Sequence, residues 1–215
     1  MRNIIWVEVN RIMYTNSIPS ALLERGTKRI FTKDSHIFKT GDSIANCYYI
    51  ISGTVKIYID HKNGRRSVLD FISANNWLGE LSVFCCETDV KENKVLQEVV
   101  CLEFEIHDLR KLSKENSEVS FYFASYISNK LLNRSSRMSE NLNFPLENRL
   151  ASFILEYHHN LVYNLPHVDV SEYLNVSYRH MLYVIKHFCK LEILTKQKGI
   201  GYLISDIEKL KQYLE

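Results

Sequence analysis

Arg179 is the residue in this chain whose type and position best suit recognition chemistry, one residue inside the start of a helix and shortly before Tyr183 and Lys186. A guanidinium offers a planar fork that matches the O6 and N7 acceptors of guanine in a major groove. Around it, Val168–Phe188 (VDVSEYLNVSYRHMLYVIKHF) reads as two short helices joined by a sharp turn. Val170 and Leu174 lie four apart, on one face of the first helix. Asn175 stands where the chain must reverse, and asparagine tolerates the left-handed region better than most residues. Ser171 is small where the helices approach, and Ser177 suits an N-cap for the second helix. Met181, Val184, Ile185 and Phe188 repeat at i, i+3, i+4, i+7 and predict a buried stripe. Tyr178, Arg179, Leu182, Tyr183, Lys186 and His187 are left on the outer face. A second helix offering its N-terminal residues to a major groove is the arrangement of a DNA-reading helix-turn-helix.

Beyond it, Lys196–Ile204 predicts a small hairpin, with Gly199 and Gly201 at its turn and apolar residues returning. Helix, turn, helix, hairpin is the order of a winged helix. Lys196 and Lys198 flank the hairpin turn, where they would hold phosphates, and His180 stands beside Arg179. Over residues 143–215 basic and acidic side chains are equal in number, eight of each, so the charge is local rather than global. Arg179, Lys186, Lys190, Lys196 and Lys198 face only Glu192 within their window. Such a patch grips phosphates without a high overall charge, and the net charge here is only +2.

The elements that must position this face come earlier. From Lys28 to about Ile106 the pattern is of short strands. Val55, Ile57 and Ile59 alternate with Lys56, Tyr58 and Asp60; Leu102, Phe104 and Ile106 alternate with Cys101, Glu103 and Glu105. Asn63-Gly64 suits a tight hairpin, and Gly41, Gly53, Gly64 and Gly79 fall at the intervals expected of turns in a small β-barrel or roll. A helix of about Ser117–Asn141 follows, with a stripe of Val119, Phe123, Ile127 and Leu131. Phe123, Ile127 and Leu131 are expected to form a two-fold dimer seam. Phe144-Pro145 ends that helix, and Leu146–Tyr157 resumes with Leu150, Phe153, Ile154 and Tyr157 inward. The expected division is 1–116 for the sensor roll, 117–142 for the dimerisation helix and 143–215 for the winged helix.

Other classes are disfavoured. No apolar run is long enough to span a bilayer. The apolar N-terminus breaks at Glu8 and Arg11, too soon for a signal peptide, so the cytoplasm is expected. Five irregularly spaced cysteines do not make a disulfide framework, and no C-x-x-C pair suggests zinc. No Ser-His-Asp arrangement, phosphate loop or HExxH motif occurs, so no enzyme is expected. Cys47, Cys101 and Cys189 read as small buried hydrophobes, while the adjacent Cys85-Cys86 pair leaves a redox role open.

A roll with spaced glycines, one long helix and a C-terminal winged helix resembles the CRP/FNR superfamily of bacterial transcription regulators over nearly the whole chain. The resemblance rests on Gly41-Asp42, Tyr48–Gly53, Trp77-Leu78-Gly79-Glu80-Leu81 and the helix-turn-helix. With Phe144–Leu155, Glu172–Ile185 and Gly201–Ile204, the chain looks most like the YeiL-type regulators within that superfamily. The implied fold is α+β: a cyclic-nucleotide-binding-like β-roll, a long dimerisation helix and a winged helix-turn-helix. The implied partners are a palindromic promoter site in double-stranded DNA, a second copy of the chain, and RNA polymerase. Base-reading positions carry over to Tyr178, Arg179 and Tyr183, and a phosphate contact to Ser177.

The sensor departs from the nucleotide-responsive pattern. Gly79-Glu80-Leu81 matches the turn whose glutamate accepts from a ribose hydroxyl. The Arg-Ser pair that would hold a cyclic phosphate is replaced by Asp89-Val90, with Lys91 the nearest cation. No arginine occurs between Arg66 and Arg110. The expectation is a roll that does not answer cyclic AMP, with Glu80 serving as a structural capping carboxylate. No cofactor is implied and the effector stays open. Two rivals remain: a nucleotide-binding sensor whose C-terminal domain engages protein, and a thiol-redox switch on the same scaffold.

Overall fold

Alternating apolar residues give the N-terminal part its strands, and the computed structural model, which describes residues 18–85 and 90–214, pairs them into one antiparallel sheet that is not closed. Met1–Asn10, Cys86 and Asp89 lie outside the described residues. The strands are β1 (Thr27–Phe31), β2 (Asn46–Asp60), β3 (Arg66–Ile72), β4 (Trp77–Leu78) and β5 (Glu92–Glu105). Their order is β1-β5-β2-β3, with β4 added to β2. The two central strands are long and bulged rather than short. Gly53 is not at a turn between strands: it sits within β2 at φ 95°, where a Cβ would lie 2.2 Å from the Glu98 carbonyl oxygen. Only glycine permits that approach of β2 to β5. The Asn63-Gly64 hairpin forms as expected, closed by the His61 amide donating to the Arg65 carbonyl at 2.8 Å.

The alternation is real, but both faces of the sheet are covered. One face holds Phe38, Ile50, Val55, Ile57, Val95, Val99 and Cys101. The other holds Cys47, Trp77 and Phe104 against helices α1 (Ser20–Leu23), α3 (Ile106–Glu115) and the first half of α4 (Ser117–Asn143). Lys56 and Tyr58 are therefore buried, not outward as their polarity suggested. The Tyr58 hydroxyl donates to Glu92 at 2.5 Å, and the Lys56 ammonium lies 5.1 Å from the Tyr58 ring centre. A short helix α2 (Leu81–Phe84) follows β4.

Two compact units result, with the division between Leu132 and Asn133, inside α4. The first half of that helix is thus part of the sensor unit, not a separate segment 117–142. The second unit contains α5 (Leu146–Tyr157), β6 (Val162–Tyr163), α6 (His167–Tyr173), α7 (Tyr178–Lys190), β7 (Leu194–Gln197), β8 (Gly201–Ile204) and α8 (Ile207–Gln212). Its small sheet runs β6-β8-β7, so the expected two-stranded wing gains a third strand. Leu150, Phe153, Ile154, Val170, Met181, Val184, Ile185 and Phe188 are all buried in it, as their spacing predicted.

Candidate nucleic-acid interface and sensor turn

Helices α6 and α7 form the predicted helix-turn-helix. Asn175 takes φ 52°, and the Val176 amide donates to the Ser171 carbonyl at 3.0 Å to close the turn. Ser171 is buried, and its hydroxyl donates to the Val168 carbonyl at 2.8 Å. Ser177 caps α7 by accepting from the His180 amide at 3.2 Å. With Met181, Val184, Ile185 and Phe188 turned inward, Ser177, Tyr178, Arg179, His180, Tyr183 and Lys186 are all exposed. No acidic residue stands in the first turn of α7, so its helix dipole and Arg179 present uncancelled positive potential.

The wing adjoins this face. Lys196 pairs with Tyr202 across β7 and β8, and Lys196 and Lys198 are exposed. Tyr202 pairs in turn with Tyr163 of β6. The His167 ring, at the start of α6, stacks on Tyr163 (centroids 5.9 Å, planes 11° apart) and on Tyr202 (5.4 Å, 29°). Burial, aided by the nearby Lys196 ammonium, holds the His167 imidazole below its ordinary pKa. Sequence reading missed this stack, because its members lie on three elements and no spacing connects them.

Arg149 was also missed, although it lies in a quoted motif. Its guanidinium donates to the Leu174 carbonyl (2.6 Å), the Asn141 side chain (3.2 Å) and the Phe144 carbonyl (3.1 Å). It therefore ties the end of α4 to the turn of the helix-turn-helix. Arg137 adds a second tie: it pairs with Glu156 and lies over the Tyr157 and Tyr173 rings.

In the sensor unit, the expected pocket residues divide. Glu80 stands at the N-cap position of α2, yet its side chain makes no cap hydrogen bond. It is 2% exposed and accepts instead from the Lys130 ammonium at 2.8 Å. The capping role is corrected: the buried carboxylate is neutralised by a cation delivered by α4. Two tyrosines on the same stripe reinforce the contact. The Trp77 indole N–H donates to Tyr122 (3.0 Å), and the Trp77 amide donates to Tyr126 (2.9 Å). Residues 122, 126 and 130 thus fasten α4 along the β4 turn. Gly79 and Leu81 flank this contact and are half-buried. Lys91 is half-buried just before β5, its carbonyl accepting from the Asn93 amide at 3.2 Å.

The expected dimer seam needs correction as well. Phe123 is fully buried against Trp77 and Phe84, and Ile127 is partly buried against the same core. The roll covers that stripe because Trp77 and Phe104 leave an aromatic recess that Phe123 fills. Leu131 is 67% exposed, and with it are Phe121, Leu132, Met138 and Leu142. Phe121, Ala124, Ser128, Leu131, Ser135, Met138 and Leu142 follow alternating steps of three and four, and all are exposed. That spacing is a heptad seam on the face opposite the core.

The thiols match their expected roles only in part. Cys47 and Cys101 are buried, and burial pushes both up, Cys101 to about 11. Cys189 is half-buried and also raised by burial, while Cys85 is exposed. No group of three or more His, Cys, Asp or Glu side chains among the described residues is placed to hold a metal ion. Among them no helix is long and apolar enough to cross a membrane.

Residues 28–116 match the model of the cyclic nucleotide-binding domain family. The chain is 31% identical over 180 residues to the regulatory protein YeiL of Escherichia coli O157:H7, covering 84% of this chain and 82% of that one. It is 27% identical over 139 residues to the cAMP-activated global transcriptional regulator Vfr of Pseudomonas aeruginosa, with 63% and 65% covered. Among solved structures, FixK2 from Bradyrhizobium japonicum superposes with a TM-score of 0.76 at 15% identity, over 87% of this chain and 96% of that one. The c-di-GMP responsive regulator CLP of Xanthomonas campestris gives 0.70 at 16%, over 86% and 96%. With a nucleotide-binding-type sensor unit, a winged helix-turn-helix and a relative matched over most of both chains, the protein belongs to the CRP/FNR family of transcription regulators.

Proposed function

We propose that the protein is a dimeric, sequence-specific DNA-binding regulator, not an enzyme, acting in the cytoplasm on palindromic promoter sites. The observation that carries this reading is the division of α7: four apolar side chains buried, and Ser177, Tyr178, Arg179, His180, Tyr183 and Lys186 exposed around an uncancelled helix N-terminus. Arg179 reads a guanine, Tyr178 and Tyr183 lie against base edges, and Lys196 and Lys198 hold phosphates. The exposed heptad of α4 supplies the dimer seam, which sets two recognition helices on two half-sites. RNA polymerase is the further partner this reading implies.

The sensor does not answer cyclic AMP in this reading, although Vfr is described as cAMP-activated. Glu80 is committed to Lys130, and the sequence supplies no arginine between Arg66 and Arg110 for a cyclic phosphate. Burying an unpaired phosphate charge costs several kcal/mol. Calorimetry should show no saturable binding up to about 1 mM cyclic AMP, where a site of about −4 kcal/mol would be half filled.

In vitro selection of bound duplex DNA, followed by titration at several salt concentrations, tests the main reading. Arg179→Ala should cost about 1–3 kcal/mol and relax preference at one operator position. Unchanged sequence preference in that variant refutes the groove assignment. Binding that is insensitive to salt would favour a protein partner instead.

A further inference from the structure

The apex of the wing carries a side chain that the fold does not use. Ile200 is 53% exposed and stands between Gly199 and Gly201, so no neighbour in sequence covers it. The turn around it is nonetheless well defined. The Ile200 amide donates to the Gln197 carbonyl at 3.2 Å, and both glycines take positive φ, 78° and 128°. A Cβ on Gly201 would lie 2.4 Å from the Tyr163 carbonyl oxygen, so the base of the hairpin is pressed against β6. The His167–Tyr202 stack packs the hairpin from the side of α6. An isoleucine has a stiff χ1. The result is a rigid apolar point on a braced hairpin.

The surroundings say what it meets. Lys196 and Lys198 are exposed on the same hairpin, and no acidic residue occurs between Glu192 and Asp206. Tyr202 lies within electrostatic reach of Tyr178, the first residue of α7, so the wing is beside the start of the recognition helix. An apolar point between cations complements a groove whose walls are phosphates and whose floor is stacked bases. Apolar wedges of this kind unstack a base step from the minor groove.

We propose that Ile200 is a minor-groove wedge, entering the duplex beside the major-groove half-site while Lys196 and Lys198 hold the flanking phosphates. This inference rests on the DNA-binding reading above. It adds a second specificity determinant that reads deformability rather than base edges. Pyrimidine–purine steps such as TA and CA/TG are the easiest to kink, so they should recur at a fixed distance outside each half-site.

The test uses the full-length protein and duplexes selected by it. The parent should enrich a pyrimidine–purine step at the outer position and bend the duplex, read by gel phasing. Ile200→Ser should lose about tenfold in affinity, lose the bend and lose that preference, with the salt slope unchanged because no counterion contact is removed. Ile200→Leu should keep all three properties. Lys198→Ala should instead flatten the slope by about 0.9 without changing the outer preference. Thermal melts confirm that the exposed substitution leaves folding intact. If Ile200→Ser matches the parent in affinity, bend and preference, the wedge is wrong and the DNA-binding reading stands. If the parent shows no selective, salt-dependent DNA binding, both fall.

Discussion

Replacing Lys130 with methionine isolates the contact between α4 and the sensor turn. Methionine keeps most of the apolar stem and removes only the ammonium, leaving the Glu80 carboxylate buried and unpaired. The side chains are 15% and 3% exposed, respectively, so water compensates little. Breaking a buried pair from one side costs about 3–5 kcal/mol. Proton uptake caps that penalty: neutralising an ordinary glutamate at pH 7 costs about 3.7 kcal/mol, at about 1.36 kcal/mol per pH unit above about 4.3. The expected destabilisation of the sensor unit is therefore about 3 kcal/mol at pH 7. It should shrink below about 1 kcal/mol near pH 4.5, because the lone carboxylate is then neutralised at little cost. Urea unfolding at the two pH values, followed through the fluorescence of the buried Trp77, reads the difference. Lys130→Met with Glu80→Gln should recover much of the loss, giving a non-additive cycle. A cost below about 1 kcal/mol at both pH values would refute the claim that this ion pair holds the helix to the turn.

Other expectations follow from the same geometry. Leu131→Glu should give monomers by sedimentation and lose most operator affinity, whereas Phe123→Ala should cost about 3–5 kcal/mol of sensor-unit stability through a core cavity; an intact Leu131→Glu dimer would remove the heptad seam. Arg149→Met orphans the Leu174 and Phe144 carbonyls and should destabilise the second unit by about 2 kcal/mol, with a larger loss in DNA binding as the turn loosens; equal DNA affinity would show that the tie does not position α7. The depressed His167 favours the neutral ring in the folded state, so the unfolded chain binds the extra proton. Stability of the second unit should therefore fall as pH drops through about 6.5 and level off below the folded-state value. His167→Gln should flatten that part of the pH profile, as read by melting temperature.

The winged helix was legible in the sequence because its determinants are local. The i, i+3, i+4, i+7 spacing of Met181, Val184, Ile185 and Phe188, an asparagine at the left-handed turn and a serine cap fix α7 whatever packs elsewhere. The exposed recognition face then follows by exclusion. The sensor's alternation was equally readable, but which face was buried was not, since covering both faces of β2 and β5 depends on helices distant in sequence. The α4 helix shows the limit most clearly. It carries two apolar stripes, and periodicity alone cannot say which one meets a core within the chain and which is left for another molecule. The recess formed by Trp77 and Phe104 took Phe123 and left Leu131 outside. The partners of Glu80, His167 and Arg149 were likewise decided only by tertiary structure, because each contact joins residues 18 or more positions apart in at least one of its arms, a separation at which local spacing carries no information.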